Sequence, residues 1–166
     1  LTRENLFYVG AAVAVAAPLA NTNADQGIRD WYQRGVGQGR APGLDETSRV
    51  FKSFGDYRYA VPVYVVLSAG KHLFPDHPGV ATLGDFGNRS LRALAVGAPT
   101  VGILQVGLGA GRPVGGDSRW HPFRNSNAVS GHAFVGAVPF LTAAAMVENR
   151  PLKAMLILGS FGTAWS

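Results

Sequence analysis

Charged side chains are missing from five stretches of this chain: Asn5 to Ala24, Tyr59 to Gly70, Ala93 to Gly111, Asn125 to Val147 and Ala154 to Ser166 contain no Asp, Glu, Lys or Arg. Polar connectors separate them. A helix needs about 20 mainly apolar residues to span a bilayer, and the first, third and fourth stretches reach or approach that length. The second is shorter and can make up the difference by tilting or by snorkelling of Arg58 and Lys71. The pattern predicts an all-α fold, a multi-helix transmembrane bundle with five apolar spans and a sixth beyond residue 166. It fits one domain over residues 1–166, a helical membrane domain lacking its C-terminal part.

Two other readings share this pattern. A soluble bundle with core helices apolar all round fits a mean hydropathy of only +0.11, and Asn5 to Ala24 has the compact apolar region of a secretory signal. Glycine and proline favour the membrane. Gly97, Gly102, Gly107 and Gly111 would weaken soluble helices, and Gly107 with Gly111 forms a small-xxx-small pair suited to close helix contact in lipid. Pro62, Pro99 and Pro139 inside apolar stretches suit kinked membrane helices. The segments Asp25 to Arg58 and His72 to Arg92 read as connectors, the first with an amphipathic helix around Gln26 to Arg34.

Composition sharpens the picture. Of 166 residues only 15% are charged, and there is no Cys, which removes disulfides, Cys-ligated metals and thiol nucleophiles. The net charge of +5 comes from 15 basic residues scattered along the chain without a run. No nucleic-acid partner is expected, because that interaction needs a clustered basic face. An anionic substrate or anionic headgroups account for the excess with fewer residues.

The segment from Gln105 to His132 carries the chemistry. It contains Arg112-Pro113 at the end of the third apolar span and Ser130-Gly131-His132 near the start of the fourth. Successive helices joined by a connector place the end of one and the start of the next on one side, so Arg112 and His132 are expected to converge. A guanidinium forks onto phosphate oxygens. A Ser-Gly pair opening a helix offers a hydroxyl and unpaired backbone N–H groups. Histidine titrates near neutral pH and can donate a proton to a leaving oxygen. Each residue has a plainer reading by itself: Arg112 ends a span, Ser130 caps a helix, His132 sits in a core. Nothing structural requires them together at this spacing.

The order and spacing resemble the type 2 phosphatidic acid phosphatase superfamily, shared with bacterial acid phosphatases and vanadium haloperoxidases. Its first motif is Lys, six residues, Arg-Pro, against Gln105, six residues, Arg112-Pro113 here. Its second is Pro-Ser-Gly-His, against Val129-Ser130-Gly131-His132. The resemblance covers roughly residues 50–166 and implies that Arg112, Ser130 and Gly131 bind phosphate, joined by Gln105 in the place of Lys, and that His132 protonates the leaving group. Gln105 keeps donors but lacks the positive charge. The implied mechanism is metal-independent, uses no cofactor and passes through a phosphohistidine.

The family's nucleophile is the His of a third motif, Ser-Arg, five residues, His, three residues, Asp, which would begin at Ser166. On this reading the chain beyond Ser166 carries the nucleophile on the site side, and residues 1–166 alone are inactive. His121 is a poor replacement, since Trp120 and Pro122 beside it fit a loop lining. The expected function is a membrane lipid phosphatase, its substrate a phospholipid or isoprenoid phosphate. The alternatives are a non-catalytic membrane protein keeping the anion pocket and a vanadium-dependent haloperoxidase-like enzyme. Charge does not decide sidedness: nine Lys or Arg fall on the site-side connectors and six on the others. The resemblance implies a bacterial inner-membrane protein with its site facing away from the cytoplasm.

Overall fold

The computed structural model describes residues 3–35, 50–111 and 119–163, and these are helical, joined by turns and one isolated bridge. The helices are α1 (Arg3–Asn21), α2 (Ala24–Gly35), α3 (Tyr57–Leu73), α4 (Pro78–Leu108), α5 (Gly131–Met146) and α6 (Arg150–Gly162). The chain divides into two compact units, one of Leu1–Pro42 with Ile103–Val129, the other of Gly43–Gly102 with Ser130–Ser166.

In the first unit α1 packs on α2 across a short polar turn, where the Ala24 N–H donates to the Thr22 hydroxyl at 3.3 Å. The expected amphipathic helix is present as α2. The Asn21 side chain ties the end of α1 to a distant loop, accepting from the Trp120 N–H at 3.0 Å. After Leu108 the chain folds back on the end of α4: the Phe123 N–H donates to the Val106 carbonyl and the Gly109 N–H to the Gln105 carbonyl, at 2.9 and 3.0 Å. These bonds satisfy carbonyls that a helix end leaves without partners. Gly109 has φ +63, and a Cβ there would run into the His121 carbonyl, so only glycine fits this turn.

The second unit is built on helix contacts that leave no room for a side chain. Asp56 caps α3, its side chain accepting from the Arg58 N–H at 3.0 Å. α3 and α4 run antiparallel, and a Cβ on Gly87 would stand 2.7 Å from the Tyr64 carbonyl oxygen and 2.8 Å from the Ser68 nitrogen. Gly84 lies against Lys71 and Gly97 against the Phe134 ring. Tyr64, Leu94, Val135 and Val138 form the buried centre, drawn from α3, α4 and α5, with Phe86 edge-on to Tyr64 at 5.9 Å. A three-residue link returns the chain from α5 into α6, which starts from an Asn149 cap. α6 packs along α5, with Gly159 facing Phe140.

Two expectations are corrected. Residues 78–92, read as connector, form the first half of the 31-residue α4, because Gly84 and Gly87 let this part of the helix lie directly on α3. The charges that suggested a connector have partners: Asp85 is paired with Lys71. Gly107 makes no close contact, and the glycines of α4 that do are 84, 87 and 97. By length and composition, one helix among the described residues, α4, is able to cross a membrane, while α1 and α5 carry shorter apolar stretches. The five charge-free stretches therefore correspond to helices of unequal reach, since α3 has 17 residues, α5 has 16 and α6 has 13.

Candidate active site

Ser130 is where an extended segment becomes helix. With φ −79 and ψ 115 it is the N-cap of α5, and its hydroxyl accepts from the Ala133 N–H at 3.1 Å. Its carbonyl already accepts from the Phe134 N–H at 3.1 Å. Gly131 and His132 are the first two helical residues, and His132 is exposed. Their N–H groups precede the first intrahelical acceptor and point out along the helix axis at its positive end. An anion placed there meets backbone donors, and an acid on His132 stands in the same turn.

This end of α5 is fixed by two neighbours. Gly55, buried before α3, abuts the His132 backbone: a Cβ on it would lie 2.6 Å from the His132 carbonyl oxygen. Beside Gly55, over the same Gly136, Thr163 at the end of α6 is 2% exposed, and its single hydroxyl proton is shared between the carbonyls of Ser160 at 2.7 Å and Ala133 at 3.2 Å. Gly136 makes room for it, since a Cβ there would come within 2.8 Å of the Thr163 Cβ. The end of α6 and the start of α5 thus lie together.

Asp56, next to Gly55, adds a carboxylate. The Arg58 guanidinium grips both its oxygens, at 2.7 to 3.2 Å. Chiefly through Arg58, and with a smaller contribution from His132, its carboxyl is held at about 2, below the usual carboxylate range. The sequence reading missed Gly55, Asp56 and Thr163. An Asp followed by an apolar span is an N-cap signature, and would have marked the start of α3.

The remaining site residues belong to the first unit. The half-buried Gln105 donates its side-chain amide to the Val129 carbonyl at 2.8 Å, and so pins the residue that precedes Ser130. That bond uses one of the two amide hydrogens. Arg112 lies outside the described residues, within 112–118, and the flanks of that segment meet in an antiparallel bridge between Ala110 and Trp120. His121 is held in the same turn, its N–H donating to the Gly109 carbonyl at 3.3 Å and its carbonyl accepting from the Arg124 N–H at 3.0 Å. These backbone bonds make it part of the loop framework.

No family model, no curated protein and no solved structure matches this chain.

Proposed function

We propose that the chain belongs to a membrane lipid phosphatase of the phosphatidic acid phosphatase type, acting on a phospholipid or isoprenoid phosphate. Arg112, Ser130 and Gly131, with Gln105, bind the phosphoryl oxygens, and His132 is the acid. The nucleophile in that family is the His of the third motif, which residues 1–166 do not contain. Its ring nitrogen forms a bond to phosphorus while the bond from phosphorus to the lipid oxygen breaks, and His132 gives that oxygen a proton. Water then attacks the phosphohistidine, His132 takes a proton back, and inorganic phosphate leaves.

The observation that carries this reading is the build of one helix end. Ser130 caps α5, His132 stands exposed in its first turn, and Thr163 brings the end of α6 to the same place. Fixed backbone donors aimed at a developing anion stabilise phosphoryl transfer without reorganisation.

The membrane part rests on exposed apolar surface. The apolar window of α4 is only 6% buried, unlike the core helix of a soluble bundle. α6 turns Met155, Leu158 and Phe161 outward, each more than two-thirds exposed, and α3 exposes Val63, Val65 and Val66. Apolar faces of this extent mark a partner or a membrane. On this reading all five charge-free stretches lie in the bilayer, α4 crossing outright, in a bacterial inner membrane with the site away from the cytoplasm.

The test is hydrolysis of phosphatidate and of an isoprenoid diphosphate in mixed micelles by the protein extended through the third motif. His132→Ala should lower turnover about a hundredfold to ten-thousandfold, and less with nitrophenyl phosphate, whose leaving group needs no acid. Near-parental turnover by the folded variant would sink the assignment.

A further inference from the structure

The contacts between α3 and α4 fix their register. Lys71 pairs with Asp85, and the Ser68 hydroxyl donates to the Asn88 side chain at 2.8 Å. A Cβ on Gly84 would meet Leu67 and Lys71, and one on Gly87 would meet Tyr64, Leu67 and Ser68. Residue 71 of α3 is therefore level with 84–85 of α4, and residue 68 with 87–88. The helices run antiparallel, so each step back along α3 answers to a step forward along α4. The charge-free stretch Tyr59 to Gly70 then lies beside α4 from about Phe86 to about Val96.

α4 itself is free of charge only from Ala93 onward. The two apolar stretches are thus out of step, and the part of α4 that flanks the apolar stretch of α3 carries Arg89 and Arg92. Both are exposed, one turn apart on the face that continues to Val96, itself 74% exposed. Neither forms an ion pair among the described residues, where the ion pairs are Asp56 with Arg58 and Lys71 with Asp85. Asp85, the acid closest to Arg89 along α4, is the one that Lys71 holds. With α3 in the bilayer, two unpaired guanidinium groups stand at membrane depth on an outward face. A charge there is costly until an opposite charge meets it.

The direction of the side chains says where that opposite charge lies. Side chains lean toward the N-terminus of their helix, and for α4 this is the end where α3 finishes, at Leu73, in the turn that contains Asp76 and His77. At about 1.5 Å per residue, Arg89 is about 6 Å and Arg92 about 10 Å along the axis from Asp85. An arginine stem covers much of such a distance along apolar surface and delivers its head to the interface. α5 starts beside the start of α3, where Gly55 meets His132, so this end of the bundle is the one away from Ser130 and His132.

We propose that Arg89 and Arg92 form a binding site for an anionic phospholipid in the leaflet opposite the candidate active site, their forks taking the phosphate diester oxygens of one headgroup. Guanidinium groups on successive turns suit a phosphate, which accepts forked hydrogen bonds through several oxygens. The local charge favours an anionic lipid over a zwitterionic one, since Lys71, Arg89 and Arg92 outnumber Asp85 by two. The proposal rests on the membrane part of the reading above and not on hydrolysis.

The experiment is lipid retention by the full chain, held in mixed micelles with equal amounts of phosphatidylcholine and phosphatidylglycerol and then weighed intact by native mass spectrometry. The parental protein should carry phosphatidylglycerol in preference. Arg89→Gln and Arg92→Gln should each weaken that preference about fivefold, the size of one basic residue near an anionic surface, and the double variant should retain the two lipids alike. Lys52→Gln, in the helical turn before Gly55 at the other end of the bundle, removes the same charge and should leave the preference as it was.

Equal retention of the two lipids by the parental protein overturns the proposal without recourse to any variant, and so does an undiminished preference in the folded double variant. Loss of the preference in Lys52→Gln would also overturn it, by reducing the effect to net charge. A chain recovered as a monomer without detergent would take away the membrane reading and the proposal with it. A lipid preference that depends on Arg89 and Arg92 in a protein without hydrolytic activity would uphold the site and remove only the phosphatase reading.

Discussion

α3 carries an ion pair at each end, and the two are built differently. At its start Asp56 pairs with Arg58, two residues along the same chain. Near its finish Lys71 pairs with Asp85, on the neighbouring α4, close to a second bond in which the Ser68 hydroxyl donates to the Asn88 side chain at 2.8 Å. A pair formed within three residues of one turn orders little chain and joins nothing distant. A pair between helices fixes how one lies on the other. The first therefore adds little to tertiary structure and acts at the start of α3. The second belongs to the seam that keeps α3 on α4.

The largest effect that separates the two ends should come from the seam. Gly87→Val would press new atoms onto the Tyr64 and Ser68 backbone, which cannot swing aside as a side chain would. Overpacking of this kind costs about 1–3 kcal/mol or more, and thermal unfolding followed by circular dichroism in detergent should register it as a clear fall in midpoint. An unshifted midpoint would mean that α3 and α4 do not touch there.

A smaller effect should appear in acid at the other end. The Asp56 carboxyl is held at about 2, chiefly by Arg58, below its ordinary 3.8. A depressed carboxyl contributes stability that is complete above the unfolded value and is lost as pH falls through the folded one. The parental protein should therefore hold a margin over Asp56→Asn above about pH 4, and the margin should close between there and about pH 2. Denaturant titrations at several pH values measure it, and a margin that persists at pH 1.5 would contradict the pairing.

The smallest effect should come from Lys71→Met. Both partners of that bridge are well exposed, at 38% and 48%, and exposed pairs contribute about 0–1 kcal/mol. The same unfolding assay should show no more than a slight loss. Lys71 would then matter little to stability.

The same contrast explains what was legible in the sequence. Helices announce themselves through missing charges, and α1, α3, α5 and α6 lie where the charge-free stretches are. The start of α4 was hidden, because Asp85, Arg89 and Arg92 look like connector residues until Lys71 and the glycine contacts place them on a helix face. Ser130 as a cap was readable from a local pattern, and so was the helix beginning at Gly131. Gly55 and Thr163 were not, since each acts through a contact far along the chain: Gly55 with His132, Thr163 with Ala133. Gln105 stands between these cases. Its spacing to Arg112 drew attention to it, but its bond to Val129 is a tertiary fact that no spacing encodes.

The clearance between Gly55 and His132 is smaller than a methyl group, and that has a consequence for how the protein should fail. The backbone of His132 is located by backbone resting on backbone, with no compliant side chain between them to absorb a shift. A few tenths of an ångström of loosening at this joint carries straight through to the backbone of His132, although every helix remains wound. Warming or a harsher detergent should therefore separate two events usually seen as one. The His132 ring signal should broaden, and in the extended protein turnover should fall, several degrees before helicity is lost. Gly55→Ala should widen that interval, because it starts with the joint already forced apart.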